Sequence, residues 1–509
     1  MLPELIQSLT DPGRYPHPAG PIRVIETQIS WLLLTGEYAY KIKKPVNFGF
    51  LDFTTLEQRR HCCEEELRLN QRLAPDIYID VVPIGGTAQA PCLEATEDII
   101  EYAVRMYQFD PELRLDRLLQ QQLFESHWID LLAEQIADFH QRIPIVAPDS
   151  PWGEPDSLWE MMADNFRQIP PEHLTPDDWS LLQRLSTQVA QQFRALEERL
   201  RQRKREGHVR ECHGDLHLAN INLFHDQLRL FDCIEFNLEF RWIDTLSDLA
   251  FLLMDLEAND QFRWANRCLN RYLELTGDYQ GLPLLNFYKT YRAMIRAKVA
   301  MLGPEPDTET CRHYLQLTSH YCQERQPTVF LMHGVSGSGK SYLSERLAEA
   351  VGVIRIRSDV ERKRLYRELS LQGHSLSLYS AEMNTRTFQH LLQTTALALK
   401  SGYSVVVDAT FIMQRTRNAY VELAESLEIP VRIISCHCEQ NLIEARLKRR
   451  QAEGQDPSDA DVSVMHDQLQ IQQPLSSEEQ LITLPVDTRD DEAIEQLMAQ
   501  LRAQRLIGD

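Results

Sequence analysis

The sequence predicts two folds in tandem: an α+β, two-lobed unit over residues 1–325 and an α/β unit with a parallel sheet over residues 326–509. Three observations predict it. Strand-like runs crowd the first 108 residues, whereas residues 109–325 form a lobe that is mostly helical from about residue 112. A break precedes Pro327, where Gly303–Asp307 (GPEPD) interrupts structure before a polar, helix-like segment. Beyond it, short apolar strands alternate with longer helical patterns, the signature of a parallel sheet. A length of 509 residues also exceeds one ordinary hydrophobic core.

In the small lobe, Ile29–Leu34 and Tyr38–Ile42 flank Thr35-Gly36-Glu37 as a hairpin. A helix is expected over Leu56–Leu73, then strands at Ile79–Pro83 and Ile100–Met106. In the second unit, Thr328–Met332 leads into a helix over Tyr342–Val351. Val353–Ile356 leads into Val360–Tyr366, Ser404–Val407 ends at Asp408, and Val431–Ser435 is followed by a helix over Asn441–Arg450.

A net charge of -22 opposes nonspecific binding to nucleic acid or an anionic membrane, since both need a basic surface. The basic run Arg201–Arg205 (RQRKR) fits a solvated helix end. Ten cysteines form no regular framework, and Cys436 and Cys438 fit a strand running into a helix better than a metal site. The N-terminal residues lack the basic and apolar regions of a signal peptide, and no run approaches 18 apolar residues. A reduced, cytoplasmic setting without a membrane is expected.

The most specific motif is Gly334-Val335-Ser336-Gly337-Ser338-Gly339-Lys340-Ser341, which matches G-x-x-x-x-G-K-[ST] at every fixed position. Its glycines let successive backbone N–H groups face phosphate oxygens, and the following helix offers its positive end. Lys340 is expected to neutralise the β- and γ-phosphates, and Ser341 to bind Mg²⁺. Asp359, after the second strand, is placed to accept a proton from an acceptor hydroxyl or to cap the next helix. Asp408 stands where a metal-orienting carboxylate would stand. Arg446, Arg449 and Arg450 share one helix ahead of the polar stretch Ala452–Asp461, which suits a lid over the phosphate. GVSGSGKS, RSDVERKRL, VVVDATF and EARLKRR together resemble the small P-loop kinases that include polynucleotide kinase, zeta toxin and chloramphenicol phosphotransferase. The resemblance covers about residues 327 to 509. It implies that Asp359 activates the acceptor, whose identity does not carry over.

A second constellation is His213-Gly214-Asp215-Leu216-His217-Leu218-Ala219-Asn220, followed by Leu230-Phe231-Asp232. An Asp and an Asn five residues apart on one tight loop place a base beside a metal ligand, and the next Asp completes a Mg²⁺ site. The pattern resembles the catalytic loop of aminoglycoside phosphotransferases and related kinase-like enzymes. That resemblance implies Asp215 as base, Asn220 and Asp232 as Mg²⁺ ligands, and Asp248 as a structural carboxylate. Lys41 looks like the lysine for the α/β-phosphates, with Lys43 as competitor, and Glu66 like its helix partner, with Glu65 as alternative. No G-x-G-x-x-G loop is present; Glu26–Ser30 (ETQIS) takes its place. Glu235 follows Asp232 closely enough to contribute to a metal or substrate site. KKPVNFGFLDFTTLEQRRHCCEEELRLN and FDCIEFN extend the resemblance across nearly the whole chain. It is similar to bacterial fusions of an aminoglycoside phosphotransferase-like domain with a P-loop domain.

These features point to an ATP-dependent phosphotransferase, with GTP compatible, acting with Mg²⁺ on a small hydroxylated acceptor at one or both sites. An ATP-sensing regulatory protein is the alternative that the missing glycine loop favours. A nucleic-acid end kinase is the third, and the acidic balance counts against it. The sequence leaves the oligomeric state open.

Overall fold

The structure is a computed structural model that describes residues 2–302, 305–453, 457–489, 492–504 and 506–507. Gly303 and Pro304 of the GPEPD break, and residues 454–456 of the polar stretch 452–461, lie outside the described residues.

The small lobe is an antiparallel sheet of β1 (Arg23–Glu26), β2 (Ser30–Leu34), β3 (Tyr38–Lys43), β4 (Tyr78–Gly86), β5 (Pro91–Leu93) and β6 (Ile99–Tyr107), in the order β1-β2-β3-β6-β4-β5. The expected hairpin is β2–β3, with Ser30 opposite Lys43 and Leu34 opposite Ala39. Period two does the sorting along β3. Tyr40 and Ile42 enter a core with Leu33, Val82, Ile84 and Ala103. Ala39 joins the opposite core with Cys63, Tyr78 and Met106, and Lys41 and Lys43 share that face. The helix Leu56–Asn70 crosses it, started by a capping box in which Thr55 and Gln58 exchange side-chain-to-backbone hydrogen bonds. It ends three residues before the expected Leu73.

Helices dominate from residue 115, interrupted by two short ribbons that carry the second constellation. These are β7 (Val209–Glu211) paired with β10 (Trp242–Asp244), and β8 (Ile221–Phe224) paired with β9 (Gln227–Leu230). The basic run Arg201–Arg205 ends a helix but is not a solvated face throughout. Arg203 is buried against Asp244, at 2.5 and 2.7 Å, and Lys204 is buried against Glu154. Burying two cations demanded those carboxylates, which lie 41 and 50 residues away in sequence.

The second sheet is parallel throughout: β11 (Val329–His333), β12 (Ile354–Arg357), β13 (Val405–Asp408), β14 (Val431–His437) and β15 (Thr483–Asp487), in the order β12-β13-β11-β14-β15. Its strands are apolar runs because helices cover both faces. Phe330, Met332 and Ile434 pack with Leu343 and Leu347 of the helix Lys340–Val351. Cys436 is buried in β14 and Cys438 follows it, and neither forms a disulfide.

Compactness divides the chain into two units that cut across the boundary at Pro327. One is Met1–Leu174, Ala190–Asp255 and Tyr291–Thr308; the other is Thr175–Val189, Leu256–Thr290 and Glu309–Asp509. The helix Phe262–Thr276 therefore falls in the same unit as the parallel sheet, because it packs on the helix Lys340–Val351. Among the described residues no helix is long and apolar enough to cross a membrane.

Candidate active sites

In the first unit the catalytic-type loop is held by buried groups that distant segments supply. Asp248, fully buried, accepts the backbone N–H groups of His213 (3.0 Å) and Gly214 (2.9 Å) and faces His140 Nε2 at 3.2 Å. Arg292 donates to the Gly214 carbonyl at 2.9 Å and lies over the Phe251 ring. Gly214 has φ +87°, and a Cβ there would stand 2.7 Å from the Phe240 carbonyl oxygen, so the tight turn needs glycine. So anchored, the loop brings Asp215 and Asn220 together: Asn220 Nδ2 donates to the Asp215 carboxylate at 2.9 Å. His217 Nε2 lies 3.3 Å from that carboxylate. Partial burial pushes the Asp215 pKa up, but His217, His213 and Arg292 outweigh it and hold the group ionised, well below the usual carboxylate range.

Asp232 follows β9 in a left-handed conformation, φ 63°, uncommon for a residue with a side chain. It accepts from Lys41 Nζ at 2.6 Å. The rivalry between the two lysines resolves into one chain of alternating charge. Glu66 takes Lys41 on one oxygen at 2.8 Å and Lys43 on the other at 2.7 Å. Lys43, fully buried, also pairs with Glu235. Lys41 is the member that reaches Asp232, whereas Glu65 turns to Arg68 and Arg241. Glu235 is engaged by Lys43 and is nearly buried, so its neighbour in this site is a lysine.

In the second unit the G-x-x-x-x-G-K-[ST] loop joins β11 to the helix Lys340–Val351. Gly334, Gly337 and Gly339 take φ values of 137, 82 and 92°. At Gly337 a Cβ would also lie 2.9 Å from Ile443 and Leu447, so glycine is required by packing as well as by conformation. Lys340 curls back to the Val335 carbonyl at 2.8 Å. Burial lowers its pKa, against the opposing pull of Asp408. Ser336 N–H donates to Gln468, and the buried Ser338 Oγ has no hydrogen-bond partner among the described residues.

Asp408 ends β13 with one oxygen 3.2 Å from Ser341 Oγ. Its other oxygen accepts from Arg355 at 3.0 Å and from Ser344 at 3.1 Å, with Arg357 at 3.8 Å. Burial raises the Asp408 pKa, and Arg355, Arg357 and Lys340 reverse that and keep it ionised. Asp359 lies in the first turn of the helix Ser358–Leu371, half-buried. It is no cap: Arg357 holds the N-cap position and no side chain caps this helix. Among the described residues Asp359 makes no hydrogen bond or ion pair, yet its charge acts on Lys340 and Arg362. Arg446 donates to the Thr488 carbonyl at 2.6 Å and to its hydroxyl at 3.2 Å, and that hydroxyl donates to Ser338 O at 2.8 Å. Arg449 is 76% exposed and faces Glu453 at 3.7 Å.

Residues 57–285 match the model of the phosphotransferase enzyme family, and residues 329–475 that of an AAA domain. Uncharacterized proteins of Mycobacterium tuberculosis and Mycobacterium bovis are 31% identical over 403 residues, covering 77% of this chain and 78% of theirs. The chain belongs to their family. It is a phosphotransferase in which a region of the phosphotransferase enzyme family precedes a nucleotide-binding P-loop region matched by the AAA-domain model. Among solved structures, a gluconokinase of Sinorhizobium meliloti is 22% identical, covering 36% of this chain and 99% of its own, with a TM-score of 0.26. The APS kinase CysC of Mycobacterium tuberculosis is 20% identical, covering 35% of this chain and 99% of its own, also with a TM-score of 0.26.

Several residues of this family member escape a reading of its sequence. Arg355 contacts Asp408, and the signal for it was an arginine inside the apolar strand Ile354–Arg357. Thr488, which no motif marks, links Arg446 to the P-loop, while Arg450, already expected on the lid helix, acts on Lys340 through its charge. Arg292 and His217 brace the Asp215 loop, the first from 78 residues beyond Gly214, where no motif marks it.

Proposed function

We propose that the chain is a bifunctional, ATP-dependent kinase, with two sites that each move the γ-phosphate to a hydroxyl of a small molecule. The observation that carries this reading is an Asp408 oxygen 3.2 Å from Ser341 Oγ, while the separate carboxylate Asp359, in the field of Lys340, makes no hydrogen bond or ion pair among the described residues. A binding module needs the first arrangement but has no use for the second.

The residues present fit a Mg²⁺–triphosphate. Three glycines at positive φ open the loop, Ser338 Oγ is buried without a partner, and Ser341 and Asp408 offer hard oxygen donors. When bound, the metal ion would neutralise charge on the transferring group. In the second unit, Lys340 exchanges its bond to the Val335 carbonyl for phosphate oxygens. Asp359 accepts the acceptor proton, and Arg446, with Arg449 as an outer member, steadies the phosphates from the side of Thr488. In the first unit, Asp215 is ionised and held by Asn220 and His217, ready to take a proton. Asn220 and Asp232 offer the metal its oxygens, and Lys41, backed by Glu66, turns from Asp232 to the phosphates. Two catalytic regions are proposed to lie in residues 1–325 and 326–509, in a cytoplasmic setting.

The test is an ATP-consumption screen of wild type, Asp215→Ala and Lys340→Ala against sugars, nucleosides, aminoglycosides and nucleic-acid ends. Each substitution should abolish one activity and spare the other. Unchanged activity in Asp215→Ala would make the first unit a regulatory or binding module.

A further inference from the structure

The helix Phe262–Thr276 lies within the stretch matched by the phosphotransferase family, yet it belongs to the compact unit that holds the P-loop. It runs beside β12, the edge strand of the parallel sheet. An edge strand leaves backbone N–H and C=O groups without partners. Here Asn270 satisfies one of each: its Oδ1 accepts from Arg355 N–H at 2.7 Å and its Nδ2 donates to Val353 O at 3.1 Å. One turn before it, Asn266 donates to Glu349 O at 3.1 Å. One turn after it, Glu274 pairs with Arg357 Nη1 at 2.7 Å, both side chains 14% exposed. Residues 266, 270 and 274 thus form one polar stripe at helical spacing: Asn266 meets the end of the helix Lys340–Val351, and Asn270 and Glu274 meet the strand that carries the arginines of the P-loop site.

The stripe matters because of what those arginines do. Arg355 contacts Asp408 at 3.0 Å, whereas Arg357 stands back at 3.8 Å and gives its closer contact to Glu274. A guanidinium in full contact with a metal-binding carboxylate competes with the metal for the same lone pairs. We propose that Glu274 is a positioning residue of the P-loop site, which holds Arg357 back so that Asp408 stays available to a divalent cation. This rests on the reading of Ser341 and Asp408 as the metal pair. A residue of the phosphotransferase-family stretch then sets the metal requirement of the P-loop reaction.

The test follows amide hydrogen exchange of the 334–341 peptide in the full chain, with a non-hydrolysable ATP analogue and increasing MgCl₂. The readout is the Mg²⁺ midpoint of protection, which is local to this site. Glu274→Gln frees Arg357 to close on Asp408, so the midpoint should rise about fivefold, the effect of moving one partly screened charge into contact. Arg357→Gln should lower the midpoint below that of wild type, and the double variant should match Arg357→Gln alone. A stripe that only braces the fold would weaken protection equally with and without Mg²⁺. Asp408→Asn separates the two claims. Mg²⁺ dependence that survives Asp408→Asn overturns the metal pair and the proposal with it. Dependence lost there but unmoved by Glu274→Gln and Arg357→Gln overturns the positioning role alone.

Discussion

The two proposed phosphate centres are built on opposite plans. In the P-loop centre the cradle is one uninterrupted octapeptide, and its lysine is tied only to a backbone carbonyl five residues away. In the other, the lysine is locked into a chain of five charges, Asp232–Lys41–Glu66–Lys43–Glu235, whose contacts span as many as 192 residues. A local cradle can lose or gain a ligand by moving one side chain. A buried, alternating network must trade one ion pair for another, so catalysis and folding share the same residues there. The comparison therefore separates variants that should damage activity alone from variants that should damage the fold.

Removal of the reacting groups should have the largest effect. Asp215→Ala and Lys340→Ala should each reduce phosphoryl transfer at their own site by about 10²- to 10⁴-fold, with the melting temperature of the Lys340 variant nearly unchanged. Rates measured with purified variants and the acceptors found in the screen check this. Glu66→Gln should behave in the opposite way, and cost about 3–5 kcal/mol of stability in denaturant unfolding, because two lysines are left buried around a neutral group. Its pH dependence has a definite sign. Burial pushes Glu66 up, but Lys41 and Lys43 outweigh it and hold its pKa below the usual 4.5. The carboxylate thus contributes stability above pH 4.5 that drains away as pH falls, and the acid limb of a stability profile should flatten in Glu66→Gln. An unchanged acid limb would break the contrast between the centres.

The same contrast explains what the sequence revealed. The P-loop, its flanking strand and helix, and Asp408 at a strand end are contiguous patterns, and each lands where periodicity puts it. The hairpin that carries Lys41 was also legible, since alternation along Tyr38–Lys43 fixes which residues share a face. Glu66 was preferred to Glu65 by resemblance alone, because the choice depends on which side of the helix Leu56–Asn70 meets the sheet, and there Glu66 meets Lys41. The partner of Glu235 was hidden for the same reason: its nearness to Asp232 is in the sequence, whereas its pairing with Lys43 is visible only in the fold. The strand Thr483–Asp487 went unseen, its alternation interrupted by Pro485, and pairing with β14 supplies what propensity did not. The helix Phe262–Thr276 carries no motif, so its place against β12 is visible only in the packing.

Smaller effects sharpen the comparison. Gly337→Ala forces a side chain to φ +82° and into Ile443 and Leu447, so nucleotide affinity at the P-loop should fall by about 1–3 kcal/mol in calorimetric titration. Arg446→Ala should lower P-loop transfer more than Arg449→Ala, because Arg446 is tied through Thr488 to Ser338 and Arg449 is 76% exposed. The stability change for Arg449→Ala should stay within about 0.5 kcal/mol.

The claim that one chain holds two working phosphate centres is tested most directly by nucleotide stoichiometry. Isothermal titration with a non-hydrolysable ATP analogue and Mg²⁺ should give two bound nucleotides per wild-type chain. Lys340→Ala and Lys41→Met should each reduce this to one, at the site whose lysine is intact. A wild-type stoichiometry of one, abolished by one of these substitutions and untouched by the other, would contradict it.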